Sequence, residues 1–149
     1  MESKLIEIGA EKTYVLIFQT GDEVLAGLLD FARKHHLRGA RFTAIGAFSD
    51  VMLGYFEWDR KDYKRIPVAE QVEVLSLIGD VTVKDGEPQV HAHVVAGKSS
   101  GAAVGGHLIA AHVRPTLEVM LTESPEQLVR EMDADSGIAL IKLGTELGA

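Results

Sequence analysis

From residue 40 to residue 122 the chain runs through short apolar, β-branched segments broken by glycine and polar turns, and that alternation commits it to a fold built on a sheet. Ala40–Phe48, Val51–Trp58 and Tyr63–Val68 read as strands, with Gly46 marking a bulge or close-packing point and Asp59-Arg60-Lys61-Asp62 a hairpin turn. Val72–Ile78 is almost continuously apolar, which predicts a strand buried on both faces. Asp85-Gly86-Glu87-Pro88 is a hairpin turn signal, followed by an apolar run from Val90 to Val95, a glycine-rich connection, a strand opening at His107 and another over Thr116–Thr122. Upstream, Thr13–Gln19 is a strand, and Thr20-Gly21-Asp22 supplies a turn and an N-cap. The apolar spacing of Val24, Leu25, Leu28, Leu29, Phe31 and Ala32 predicts an amphipathic helix ending near His35-His36. Ser124-Pro125-Glu126 predicts a second helix to about Met132, and Ile138–Leu143 a closing strand. The expectation is one α+β domain over residues 1–149, a central mixed or mainly antiparallel sheet flanked by a few helices.

The chain has 149 residues, 46% hydrophobic and 25% charged, enough to bury a core and unlike a disordered sequence. No apolar run approaches the roughly 20 residues of a membrane span. The start, Met1-Glu2-Ser3-Lys4, lacks the apolar stretch of a signal peptide. With no cysteine, disulfides and thiolate ligands are excluded, and a cytoplasmic protein is expected. The formal charge of −7 disfavours binding to a phosphate backbone. The basic patches Arg33–Arg41 and Arg60–Arg65 read as a solvated helix end and a hairpin tip.

Within this frame the histidines carry the chemistry. His91 and His93 are two apart in a strand run and so project from one face. The connection Gly97–Gly106 returns the chain to a third, His107, and Gly105 and Gly106 let the backbone approach closely enough to bring it beside the other two. Three convergent imidazoles are the ligand set of an open divalent-metal site, most often zinc. A single core histidine is usually a packed, hydrogen-bonded residue; two aligned on one face with a third after a glycine pair are harder to explain that way. His112 falls on the opposite face from His107, and His35 and His36 lie at a helix surface. If metal chemistry occurs, Glu118 and Glu73 are the candidates for proton handling, each a lone acid in an apolar strand. Gly97-Lys98-Ser99-Ser100-Gly101 fits the nucleophile-elbow pattern but lacks the following helix and the partner order. The same stretch lacks the first glycine of a P-loop, and Asp133–Gly137 is too short for a calcium loop.

These same residues resemble the plant and prokaryote conserved (PPC) domain. Asp85-Gly86-Glu87-Pro88, His91-Ala92-His93, Gly105-Gly106-His107-Leu108 and Leu117-Glu118-Val119 fit its pattern. So do Gly21-Asp22-Glu23-Val24-Leu25, Ile45-Gly46-Ala47-Phe48-Ser49-Asp50, Leu53-Gly54-Tyr55-Phe56 and Glu73-Val74-Leu75-Ser76-Leu77. The likeness covers about residues 12–142. It implies an α+β fold assembled as a homotrimer, and a zinc or similar site at His91, His93 and His107 near a subunit boundary. It leaves open metal-assisted chemistry on a small polar substrate, or a structural metal that holds the trimer together. Plant relatives carry the domain behind an AT-hook and bind DNA, which implies a DNA-binding or regulatory role as the alternative. This chain has no R-G-R-P hook, and it carries Gln71 where the plant domain has an arginine before its F-E-I-L run.

Overall fold

The structure, a computed structural model, describes residues 1–8 and 11–143. One helix, α1 (Val24–Lys34), packs on a nine-stranded sheet. The strands are β1 (Glu2–Ile8), β2 (Lys12–Gln19), β3 (Ala40–Glu57), β4 (Asp62–Val68), β5 (Val72–Lys84), β6 (Glu87–Gly97), β7 (Ala103–Glu123), β8 (Val129–Met132) and β9 (Ala139–Lys142). Every pairing is antiparallel except a single parallel bridge between β5 and β8, so the sheet is mixed.

Two long strands organise it. β3 and β7 pair along most of their lengths, with register shifts at Gly46/Phe48, Phe48/Asp50 and Met52/Leu53 that bend both together. Because they bend, β3 also reaches β5, β5 pairs with β6, and β6 returns to β7, so four strands close a circuit. The apolar stripe of α1, Val24, Leu28, Phe31 and Ala32, is buried in one core with Leu16, Phe18, Phe48, Leu77, Val94, Leu108 and Leu117.

The expected elements differ from the observed ones in instructive places. Ala40–Phe48 and Val51–Trp58 are one strand, as are the His107 run and Thr116–Thr122, because bulges rather than turns absorb the breaks. The helix expected from Ser124 to Met132 is absent: Ser124 Oγ accepts from the Glu126 N–H at 3.3 Å, as a cap would, but Val129–Met132 is strand β8, paired with β9. One helix and a single 3-10 turn at Trp58–Arg60 thus stand among the described residues where a few helices were expected. The helix that does form is capped by Glu23, whose carboxylate accepts from the Ala26 N–H at 2.6 Å, rather than by the Thr20–Asp22 turn. Val72–Ile78 is not buried on both faces. Leu75 and Ile78 are 55% and 56% exposed, while Val72, Val74 and Leu77 are buried. β1 had no counterpart in the sequence reading.

Candidate metal centre

The site follows from one hairpin. Asp85 (φ 53°) and Gly86 (φ 85°) form a two-residue turn with both residues left-handed, which joins β5 to β6 and sets their register. Counting back from that turn pairs Asp80 with His91 and Ile78 with His93. β6 then alternates: Ala92, Val94 and Ala96 are buried, and His91, His93 and Val95 face outward. β7 returns with His107 directly opposite His93. A Cβ at Gly105 would lie 2.8 Å from the Val94 carbonyl oxygen, and one at Gly106 would lie 2.7 Å from that of Gly54. Only glycine there lets β7 press against both neighbours and carry His107 into place.

His91, His93 and His107 each offer one ring nitrogen to a common point, the three atoms lying within 4.8 Å of one another. The ring centroids are 5.1 to 5.5 Å apart, with His93 nearly perpendicular to the other two. Tyr63, on β4, stacks on His107 at 4.5 Å and fixes its ring from behind. Burial, together with the neighbouring charges of His91 and His93, pushes the His107 pKa down from 6.5 to about 4. Burial and the His91 charge likewise lower that of His93. The buried Nδ1 of His107 has no hydrogen-bond partner. Imidazoles whose proton affinity is lowered fit a divalent cation, which requires the unprotonated form.

A polar network the sequence reading did not single out supports the cluster from β5 and β8. Arg130 is only 10% exposed; its Nη2 donates to Asp80 Oδ1 at 2.9 Å and Oδ2 at 3.1 Å. Its Nε donates to the buried Thr82 hydroxyl at 2.8 Å, and its Nη1 to the Ala139 carbonyl at 3.0 Å. The same Nη2 lies 3.4 Å from His91 Nδ1, and Asp80 Oδ2 lies 3.8 Å from it. Burial works against the Asp80 carboxylate, but its contacts with His91 and Arg130 outweigh that and hold its carboxyl below the usual range. A carboxylate beside a metal-binding imidazole orients the ring and sharpens its donor strength.

Glu118 and Glu73 stand elsewhere. Glu118 lies opposite Ile17 and Ile45, and Glu73 opposite Ala47 and Gly97; both are exposed and neither joins the three-nitrogen cluster. Both occupy the outward positions of one-sided strands, where a lone carboxylate stays in water. Asp80 is the acid beside His91, and the Asp85-Gly86 turn was the signal that could have found it. Arg130 had no such signal, since its segment reads as a helix. No helix among the described residues is long and apolar enough to cross a membrane.

A closed, bent sheet with one packed helix and a histidine cluster on its outer face defines the class. The Plants and Prokaryotes Conserved (PCC) domain matches residues 6–125, and the chain belongs to that family. A plant- and prokaryote-conserved (PPC) protein from Pyrococcus horikoshii is 34% identical over 97% of this chain and 96% of its own, with a TM-score of 0.83. A metal-containing protein from Archaeoglobus fulgidus is 30% identical over 95% and 97%, with a TM-score of 0.81. A protein from Ralstonia eutropha JMP134, named as a candidate DNA-binding protein, is 29% identical over 88% and 91%, with a TM-score of 0.83. No curated protein matches the chain.

Proposed function

We propose that this PPC protein binds one divalent metal ion per chain, zinc in the first instance, through His91, His93 and His107. The observation that carries the reading is the convergence of three ring nitrogens, one from each histidine, within 4.8 Å of one another. An all-imidazole set with no thiolate available suits zinc among the common divalent ions. The metal-containing relative from Archaeoglobus fulgidus supports the same reading.

Three protein ligands leave a coordination position open, and an ion held that way polarises a carbonyl or acidifies a bound water. The residues around it have separable tasks. Tyr63 and Gly54 shape the back of the His107 pocket, since a Cβ at residue 54 would come within 2.9 Å of the Tyr63 ring. Asp80, itself held by Arg130, orients His91. In the enzymatic form of the proposal, metal-assisted chemistry on a small polar substrate, a carboxylate moves the proton. Glu118 and Glu73 hold that role as first assigned, and Asp80 competes for it by its position. Replacing each acid by its amide, with metal content measured alongside turnover, separates the three.

Assembly as a homotrimer belongs to the same proposal. The exposed side chains of Ile45, Leu75, Ile78 and Met120 border a cavity of about 360 Å³ on the outward face of the sheet, an apolar area suited to a second copy. A cytoplasmic location is consistent with a chain that carries no cysteine. The deciding experiment is elemental analysis with light scattering. One metal per chain in a trimer, lost in the His91→Ala/His93→Ala double variant, supports the reading; no metal after incubation with zinc overturns it. If chelation dissociates the trimer, the metal is structural rather than catalytic.

A DNA-binding role is the second reading. It is favoured by the name of the Ralstonia eutropha relative and by Arg33, His36 and Arg38, which line a cavity of about 460 Å³. It requires duplex binding that weakens steeply with salt, and the absence of binding at low salt removes it.

A further inference from the structure

Arg41 on β3 lies directly opposite Asp80 on β5, which lies directly opposite His91 on β6. The next row on the same face runs Thr43, Ile78, His93 and His107. Residues of both rows, among them Arg41, Asp80, His91 and His93, line a cavity of about 410 Å³. That volume is at the small end of ligand pockets, roughly 300–1,000 Å³. The cavity has two charged side chains, and they differ in one respect. Arg130 occupies both Asp80 oxygens. Arg41 is exposed and enters no ion pair among the described residues; Glu123, which it meets in a neighbouring cavity, is paired with Lys12.

We propose that this cavity binds a small carboxylate-bearing molecule, with the Arg41 guanidinium gripping the carboxylate while a second oxygen faces the ion held by the histidines. The proposal rests on the metal reading and deepens it by naming the class of ligand. Arginine presents paired N–H donors that match a planar carboxylate. Two strand spacings, roughly 10 Å, separate the Arg41 and His91 backbones, a span that a chain of about four carbons with a carboxylate at each end can bridge between the two side chains. Asp80 lies between them, but Arg130 occupies both of its oxygens, which leaves the Arg41 guanidinium to the ligand.

The test uses the full chain loaded with cobalt, its metal content measured separately, and follows the cobalt visible spectrum and the binding heat. Succinate should perturb the spectrum and bind at least about tenfold more tightly than acetate, the gain expected of a charge-assisted contact. Arg41→Gln should keep one cobalt per chain and bind succinate no better than acetate, and Arg41→Lys should recover part of the difference. Equal binding of succinate and acetate by the native chain overturns the proposal and leaves the metal site standing, as does undiminished succinate binding by Arg41→Gln. Inorganic phosphate binding more tightly than succinate, and losing that advantage in Arg41→Gln, overturns the carboxylate assignment. A native chain that takes up no cobalt overturns the metal reading and this proposal with it.

Discussion

Two histidine-bearing sites in this molecule have opposite proton affinities. His107 is half-buried with two other imidazoles and an aromatic ring around it, and its pKa falls to about 4. His112, five residues along the same strand, is exposed; its Nδ1 lies 2.9 Å from Asp50 Oδ1, and that hydrogen bond, then the Asp50 charge, raises its pKa. Asp50 in turn accepts from the Ser49 hydroxyl at 2.8 Å. One site is built to stay unprotonated and offers nitrogen lone pairs; the other welcomes a proton and forms a surface ion pair. A carboxylate as hydrogen-bond partner makes the difference for His112, and desolvation makes it for His107.

The largest effect should come from removing a ligand. His93→Ala should lose stoichiometric zinc by elemental analysis, whereas His112→Ala should retain it; equal retention in both erases the contrast.

Next is the arginine behind the cluster. Arg130→Gln leaves the Asp80 charge without its main partner, and a loss of about 2 kcal/mol is expected in chemical denaturation of the metal-free chain. Unchanged stability would mean that β8 and β9 hold their place without it. Asp80→Asn should keep the histidines but weaken zinc binding about tenfold in a competition titration.

The pH dependence carries two effects of opposite sign, of which that of His112 is the smallest. The unfolded chain takes up a proton at a histidine near 6.5, above the folded value of about 4 for His107, so protonation favours unfolding. The metal-free protein should therefore lose stability as pH falls from about 6.5 to about 4, and His107→Phe should flatten that slope. His112 has its pKa raised by Asp50, so its contribution is full below about 6.5 and fades as pH rises through the folded value. His112→Gln should cost less than about 1 kcal/mol at pH 5.5, as surface pairs do, and nearly nothing at high pH. Thermal denaturation of the two variants across pH reads both signs; parallel slopes would break the comparison.

The parts legible in the sequence are local ones. His91 and His93 share a face because a strand repeats every two residues, and Asp85-Gly86 announces the turn that sets their register. Those two features together already contained the pairing of Asp80 with His91. The misread elements share a cause. Val129–Met132 has no strong intrinsic preference and takes its conformation from pairing with β9 and from the Arg130 contacts, as propensity yields to tertiary context. The continuous apolar run at Val72–Ile78 suggested two buried faces, yet the protein leaves Leu75 and Ile78 outside.

The sequence by itself determined the strand periods, the helix stripe, the hairpin turn and the three histidines with their glycines, because each depends on residues close together in the chain. Tertiary structure alone decided that β3 and β7 bend together, that β6 closes back onto β7 to bring His107 opposite His93, and that Arg130 comes to rest on Asp80. Those contacts join residues from 14 apart, His93 and His107, to 83 apart, Ala40 and Glu123. Their formation depends on burying a shared core, a free energy that no local window of sequence contains.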